Sequence, residues 1–137
     1  MVKQVIVMRK DLKMRRGKEI AQGAHAAMKV LSDRILKPID HDVCADERCI
    51  WYQGYMEISQ YMKDWLEGLF TKICLQVESE QELMDVYNKA KEAKIDCALI
   101  QDAGLTEFGG IPTYTCCAIG PWDAAQIDQI TSHLKLY

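Results

Sequence analysis

Apolar positions along the chain repeat in two ways, as short runs bounded by charge and as stripes at helical spacing, and their order predicts the elements. Lys3 to Arg9 (KQVIVMR) is an apolar run flanked by charge, short enough for a buried strand. A basic loop follows. From Gly17 the pattern becomes helical and runs through Val30, Leu31 and Ile35 until Pro38, which lacks the amide hydrogen a helix needs, stops it. Tyr55, Ile58, Tyr61, Met62, Trp65, Leu66 and Leu69 form a second helical stripe, expected to pack on the core. Thr71 to Val77 alternates as a strand. Ser79 and Glu82 then make an S-x-x-E capping box, opening a helix with the face Leu83, Val86, Tyr87 and Ala90. Cys97 to Ile100 and Tyr114 to Ile119 read as two further strands. Gly120-Pro121 turns the chain, and Asp123 with Gln126 caps a last helix to about His133.

Strands alternating with helices over short connections predict an α/β fold: a three-layer α/β/α domain with a mixed four-stranded sheet and helices on both faces. The twelve residues DAGLTEFGGIPT between strands three and four carry no helical pattern, so strand four should run antiparallel to strand three. Residues 1–137 fit one domain. No apolar run is long enough to span a membrane, and Met1 to Val7 leads straight into a strand pattern, which predicts a cytoplasmic protein without a signal peptide.

Charge and cysteine usage sharpen this picture. The net charge is −3, but residues 1 to 34 hold nine Lys and Arg against three acids, a local +6 that leaves −9 for the remainder. Six of these cations, Arg9, Lys10, Lys13, Arg15, Arg16 and Lys18, crowd the passage from strand to helix. A basic loop beside a helix N-terminus attracts phosphates through charge and free backbone N–H groups. Cys74, Cys97, Cys116 and Cys117 fall in apolar runs, where a reduced cysteine behaves as a small hydrophobe. Cys44 and Cys49 with His41 resemble a ligand set, yet they lack the tight spacing and a fourth ligand, so no metal site is expected.

The candidate chemistry begins at MRRGKEIAQGAHAAM. Lys18, Gln22 and His25 stand at i, i+4 and i+7 on one helical stripe, among small neighbours that allow close approach to another surface. Taken alone, these side chains are equally compatible with a solvated helix face. Topology adds the second half: the basic loop and DAGLTEFGGIPT both leave the C-terminal ends of strands, the edge at which open α/β sheets bind ligands. Lys18 and Gln22 should therefore face Asp102, Thr106, Thr113 and Thr115.

The combination K-x-x-x-Q-x-x-H-A with a distant D-A-G-x-T resembles the type 2 peptidyl-tRNA hydrolases. The likeness extends over KQVIVMRKDLKMRRGKEIAQGAHAA, VESEQELMDVYNKAKEAKI, IQDAGLTEFGGIPTYTCCAIGP and ITSHLKL, in the family's order. It implies an enzyme that hydrolyses the ester linking a peptide to the terminal ribose of tRNA, often homodimeric, with no metal or cofactor. By matching motif it implies a catalytic set of Lys18, Gln22, Asp102, Thr106 and Thr115 with His25 beside it, and Thr113 as the alternative to Thr115. Arg9, Lys10, Lys13, Arg15 and Arg16 would meet tRNA phosphates. Against the family's usual length, residues 36–61 read as an insertion. A non-catalytic RNA- or protein-binding member of the same fold is the alternative that an assay with peptidyl-tRNA would separate.

Overall fold

The computed structural model describes residues 1–35 and 55–137. Nine elements follow in order: β1 (Val2–Arg9), α1 (Arg16–Ser32), α2 (Gln60–Glu67), β2 (Lys72–Val77), α3 (Glu80–Glu92), β3 (Cys97–Asp102), β4 (Thr113–Asp123), α4 (Ala124–Thr131) and β5 (Lys135–Leu136). All strands belong to one sheet in the order β3-β4-β1-β2-β5.

β1 is apolar on both sides because each side of it is covered. Val5 and Val7 join Leu83, Val86 and Ala90 of α3 and Ile127 and Ile130 of α4 in one buried cluster. Ile6 and Met8, one residue out of phase, join Ala26 and Val30 of α1 and Met62 of α2 in another. A strand with helices over both faces cannot show a clean apolar–polar alternation, which is why KQVIVMR reads as a continuous run.

The sheet is mixed, as expected, but it has five strands rather than four. β5 pairs antiparallel with β2 through Leu75–Leu136 and Gln76–Lys135, and Tyr137 N donates to Cys74 O at 3.0 Å. A two-residue strand is too short to carry a readable period. β4 lies between β3 and β1 and runs antiparallel to both, so only β1 and β2 pair in parallel. It also continues through Gly120-Pro121 to Asp123, where a turn was expected. Val2 and Lys3 stay paired with Asp123 and Trp122, and the change of register between Lys3 and Val5 absorbs the irregularity.

Helix boundaries moved as well. The Ser79 half of the α3 cap forms as the sequence specifies, with Ser79 Oγ accepting from Glu82 N at 3.1 Å, whereas Glu82 Oε2 accepts from Glu78 N at 2.9 Å, one residue before the N-cap. Asp123 Oδ2 likewise accepts from Gln126 N at the start of α4. α1, however, ends at Ser32 rather than near Pro38. Ile35 pairs instead with Met56, and Arg34 turns to the buried Asp96. α2 spans only part of the stripe from Tyr55 to Leu69, because Ser59 caps it at one end and Gly68 ends it at the other. Met62 and Trp65 are its buried positions, and Tyr55 and Leu69 are exposed.

Leu83 is fully buried where α3 meets the sheet. Leu83→Ala is expected to destabilise the fold by about 2–5 kcal/mol through lost burial and a residual cavity, read as a lower urea midpoint at unchanged slope.

Candidate active site

The helical stripe of α1 and the end of β3 meet at one carboxylate. Lys18 Nζ donates to Asp102 Oδ1 at 2.7 Å and to Thr106 Oγ1 at 3.0 Å. Gln22 Nε2 donates to the same Asp102 oxygen at 3.1 Å, and Gly104 N donates to Asp102 Oδ2 at 2.9 Å. Behind them Thr115 Oγ1 donates to Gln22 Oε1 at 2.5 Å, which fixes the Gln22 amide with its nitrogen toward Asp102. Burial is graded along this chain: Thr115 and Gln22 are closed off from solvent, whereas the side chains of Lys18 and Asp102 each keep 14% exposure. The front of the cluster is therefore reachable and its back is rigid.

Thr115 reaches Gln22 because of a bulge. Ile100 pairs with Cys116 and Gln101 with Tyr114, so Thr115 is the extra residue on β4. Normal alternation would put Thr115 on the same side as Cys117, which packs against α3 and α4. The extra residue turns it to the α1 side together with Cys116, whose Sγ lies 3.3 Å from Gln22 O. Re-aiming one side chain at a site is a recurrent use of such bulges.

The loop between β3 and β4 is held in shape by Gly104, at φ +79°. A Cβ there would lie 2.2 Å from the Ile111 carbonyl oxygen, so only glycine fits. Gly110 N closes the loop onto Gly104 O at 2.8 Å. Thr113, paired with Asp102 in the sheet, turns its hydroxyl to Ile111 O at 2.9 Å; Thr115 and not Thr113 completes the cluster. His25 is exposed on α1 and makes no hydrogen bond to the cluster among the described residues.

The basic residues divide into two groups. Lys10, Lys13, Arg15 and Arg16 are exposed. Arg9 is not available to a phosphate: it is 9% exposed and its guanidinium is engaged by both oxygens of Asp11, by Glu80 and by Tyr114 O. Charge counting cannot distinguish these two situations; the neighbouring acid at i+2 was the available signal. The possible ligand set His41, Cys44 and Cys49 lies outside the described residues, as does Pro38.

Electrostatics assign protonation states. The Lys18 ammonium, followed by the Gly104 N–H and Gln22, holds the Asp102 carboxyl below the usual carboxylate range, against a smaller opposing effect of burial. Burial pushes the Cys116 thiol up to about 12 and Cys97 to about 11, so neither forms a nucleophilic thiolate near neutral pH. A carboxylate depressed by folding contributes stability above its unfolded pKa and loses it as pH falls through the folded value. The Asp102 carboxyl carbon resonance is accordingly expected to titrate below the ordinary aspartate range, and to return to it in Lys18→Ala.

Comparison with known proteins identifies the family. The family profile described as "Peptidyl-tRNA hydrolase PTH2" matches residues 2–137. The chain is 37% identical over 135 residues to a protein of Methanocaldococcus jannaschii named peptidyl-tRNA hydrolase, covering 98% of this chain and 99% of that one. It is 40% identical over 137 residues to the Nanoarchaeum equitans protein of the same name, with full coverage of both. A solved protein of unknown function from Agrobacterium shares the fold at a TM-score of 0.56 and 12% identity, over 99% of this chain and 97% of that one. The chain belongs to the peptidyl-tRNA hydrolase PTH2 family.

Proposed function

We propose that the protein hydrolyses the ester bond of peptidyl-tRNA, or of N-blocked aminoacyl-tRNA, and releases free tRNA and peptide. The observation that carries this reading is the 2.7 Å approach of Lys18 to Asp102 from elements 84 residues apart, at a rim that solvent reaches. Ester hydrolysis needs a positioned water, an acceptor for its proton and a cation or N–H donors for the oxyanion. Asp102 can orient the water and accept its proton, and Lys18 supplies the cation.

Asp102 is ionised and immobilised by its three donors, two on Oδ1 and one on Oδ2, which leaves one lone pair on Oδ2 to receive a water proton. The Lys18 ammonium has three donors, of which Asp102 and Thr106 take two, and the third is left for the ester carbonyl oxygen. As the water oxygen bonds to the carbonyl carbon, Asp102 takes the released proton and Lys18 neutralises the oxyanion. Negative charge on the substrate draws Lys18 away from Asp102, which raises the basicity of the carboxylate at the moment it must accept the proton. When the intermediate collapses, the carbon–ribose oxygen bond breaks and the proton passes from Asp102 to the leaving oxygen. Lys18 remains charged throughout. Gln22 and Thr115 hold Asp102 in place and Thr106 holds Lys18.

Lys10, Lys13, Arg15 and Arg16 supply the phosphate contacts, with His25 at the substrate margin. Such contacts favour tRNA backbone over base identity. In the same reading the chain is a single three-layer α/β/α domain with an insertion at 36–61, acting in the cytoplasm as a homodimer. Sedimentation as a 15.7 kDa monomer at micromolar concentration would exclude the homodimer.

Purified protein is expected to cleave N-acetyl-aminoacyl-tRNA. Lys18→Ala should lower kcat by about 10²–10³, the effect of losing one oxyanion donor, and Asp102→Ala by about 10²–10⁴, the effect of losing a general base. Retained cleavage in both variants would refute the assignment. Raising salt from about 50 to 200 mM should weaken tRNA binding steeply, and Lys13→Ala with Arg16→Ala should flatten that dependence by about 0.7–0.9 in log–log slope per cation.

A further inference from the structure

We propose that Glu107, a residue outside the catalytic set, is a positioning residue for Lys18, acting as a clamp between the β3–β4 loop and the N-terminus of α1. This rests on the hydrolase reading for its consequence in catalysis, and on geometry alone for the clamp.

Three consecutive loop residues hold three different things. Thr106 Oγ1 accepts from Lys18. Glu107 accepts from Arg15 Nε at 3.0 Å and from Arg15 N at 3.4 Å. Phe108 packs into the core cluster beneath α1, and Lys18 Nζ lies 5.6 Å from the centre of its ring. The loop thus grips α1 on the turn that carries Lys18, and Glu107 is its only charged member. Its side chain is 15% exposed although Arg15 is 81% exposed, so the carboxylate sits inward against the helix end rather than in solvent.

The helix needs such a partner. Arg15 occupies the N-cap position and makes no side-chain cap, so α1 begins with N–H groups that no capping side chain of its own accepts from, and Glu19 is the one acid of its first turn. A carboxylate from another segment supplies both acceptor and charge. Gly104 and Gly110 fix the base of the loop, but no backbone hydrogen bond ties Leu105, Thr106 or Glu107 to α1 among the described residues. Without Glu107 the polar contacts left between the loop tip and α1, among the described residues, are the Thr106–Lys18 hydrogen bond and the approach of Lys18 to the Phe108 ring. Lys18 would then lose its fixed place between Asp102 and the ester oxygen.

Glu107 also neutralises Arg15, one of the four exposed cations proposed to meet phosphate. Removing the carboxylate should therefore harm turnover while sparing or improving substrate binding. A defect confined to folding would not divide kcat from KM in this direction.

The test compares Glu107→Ala, Glu107→Gln and Arg15→Ala with the unaltered chain. One readout is steady-state cleavage of N-acetyl-aminoacyl-tRNA. The other is the rate at which a dilute acylating reagent labels Lys18, measured by peptide mass spectrometry against the exposed Lys94. Glu107→Ala is expected to lower kcat roughly ten- to hundredfold, the scale of a misplacement near 1 Å, with KM unchanged or lower. Lys18 labelling should rise severalfold at constant Lys94 labelling. Glu107→Gln, which keeps an acceptor, should recover much of both. Arg15→Ala should raise Lys18 labelling in the same direction, which covers the case of an unfolded Glu107→Ala. Normal kcat and unaltered Lys18 labelling in the Glu107 variants would overturn the clamp while leaving the hydrolase reading intact. Glu107-dependent labelling in a chain that cleaves nothing would overturn the hydrolase reading and leave the clamp standing.

Discussion

One carboxylate holds the two halves of the site together. Asp102 receives donors from Lys18 and Gln22 of α1 and from Gly104 of its own loop, and each partner limits where the others sit. Lys18 and Asp102 are both largely removed from water. In such a position either charge alone is costly, and desolvation offsets part of what the pair gains, so an ion pair here is weak evidence for stability. The presence of charge here is therefore better accounted for by chemistry than by stability, and the closed hydrogen-bond chain behind Asp102 is what a preorganised electrostatic site needs.

Topology makes that convergence possible. Because β4 enters between β3 and β1, its first residues lie beside the last residues of both, and Thr115, Asp102 and the end of β1 share one edge. Arg9 bolts this edge from below: it joins the end of β1 to Glu80 at the start of α3 and to the Tyr114 carbonyl at the start of β4. Asp11, with Glu80 in support, keeps its guanidinium firmly charged. The rim above can then carry its catalytic and phosphate-binding groups on short, well-anchored segments.

What could be read from the chain depended on whether a local rule governed the residue. The capping boxes at Ser79 and Asp123, and the charge-bounded run of β1, are set by neighbours three or four residues away, and they stand where the pattern puts them. Lys18 and Gln22 were legible as a stripe, and Asp102 as the residue leaving a strand toward the same edge. Thr115 was harder, because its direction is set by a register shift against β3 that leaves no mark in YTCCAI. The end of α1 was misplaced because Arg34 and Ile35 answer to Asp96 and Met56, distant partners that no helical period reveals. β5 exists only because β2 offers it an edge. Each of these departures traces to a contact far away in sequence.

The same distinction bears on the basic segment, which charge counting treats as uniform. Arg9 is enclosed by acids and belongs to the framework, and Arg15 is shared with Glu107. Lys10, Lys13 and Arg16 are the exposed cations of the segment without an ion pair among the described residues, and of these Lys10 reaches Gln76 and the Tyr137 ring. A phosphate arriving at this edge meets fewer free cations than the sequence advertises, and one of them comes already partnered by a carboxylate adjoining Thr106. On the proposed reading, the Arg15–Glu107 contact joins a phosphate-binding cation to the loop that carries Thr106, the hydrogen-bond partner of Lys18.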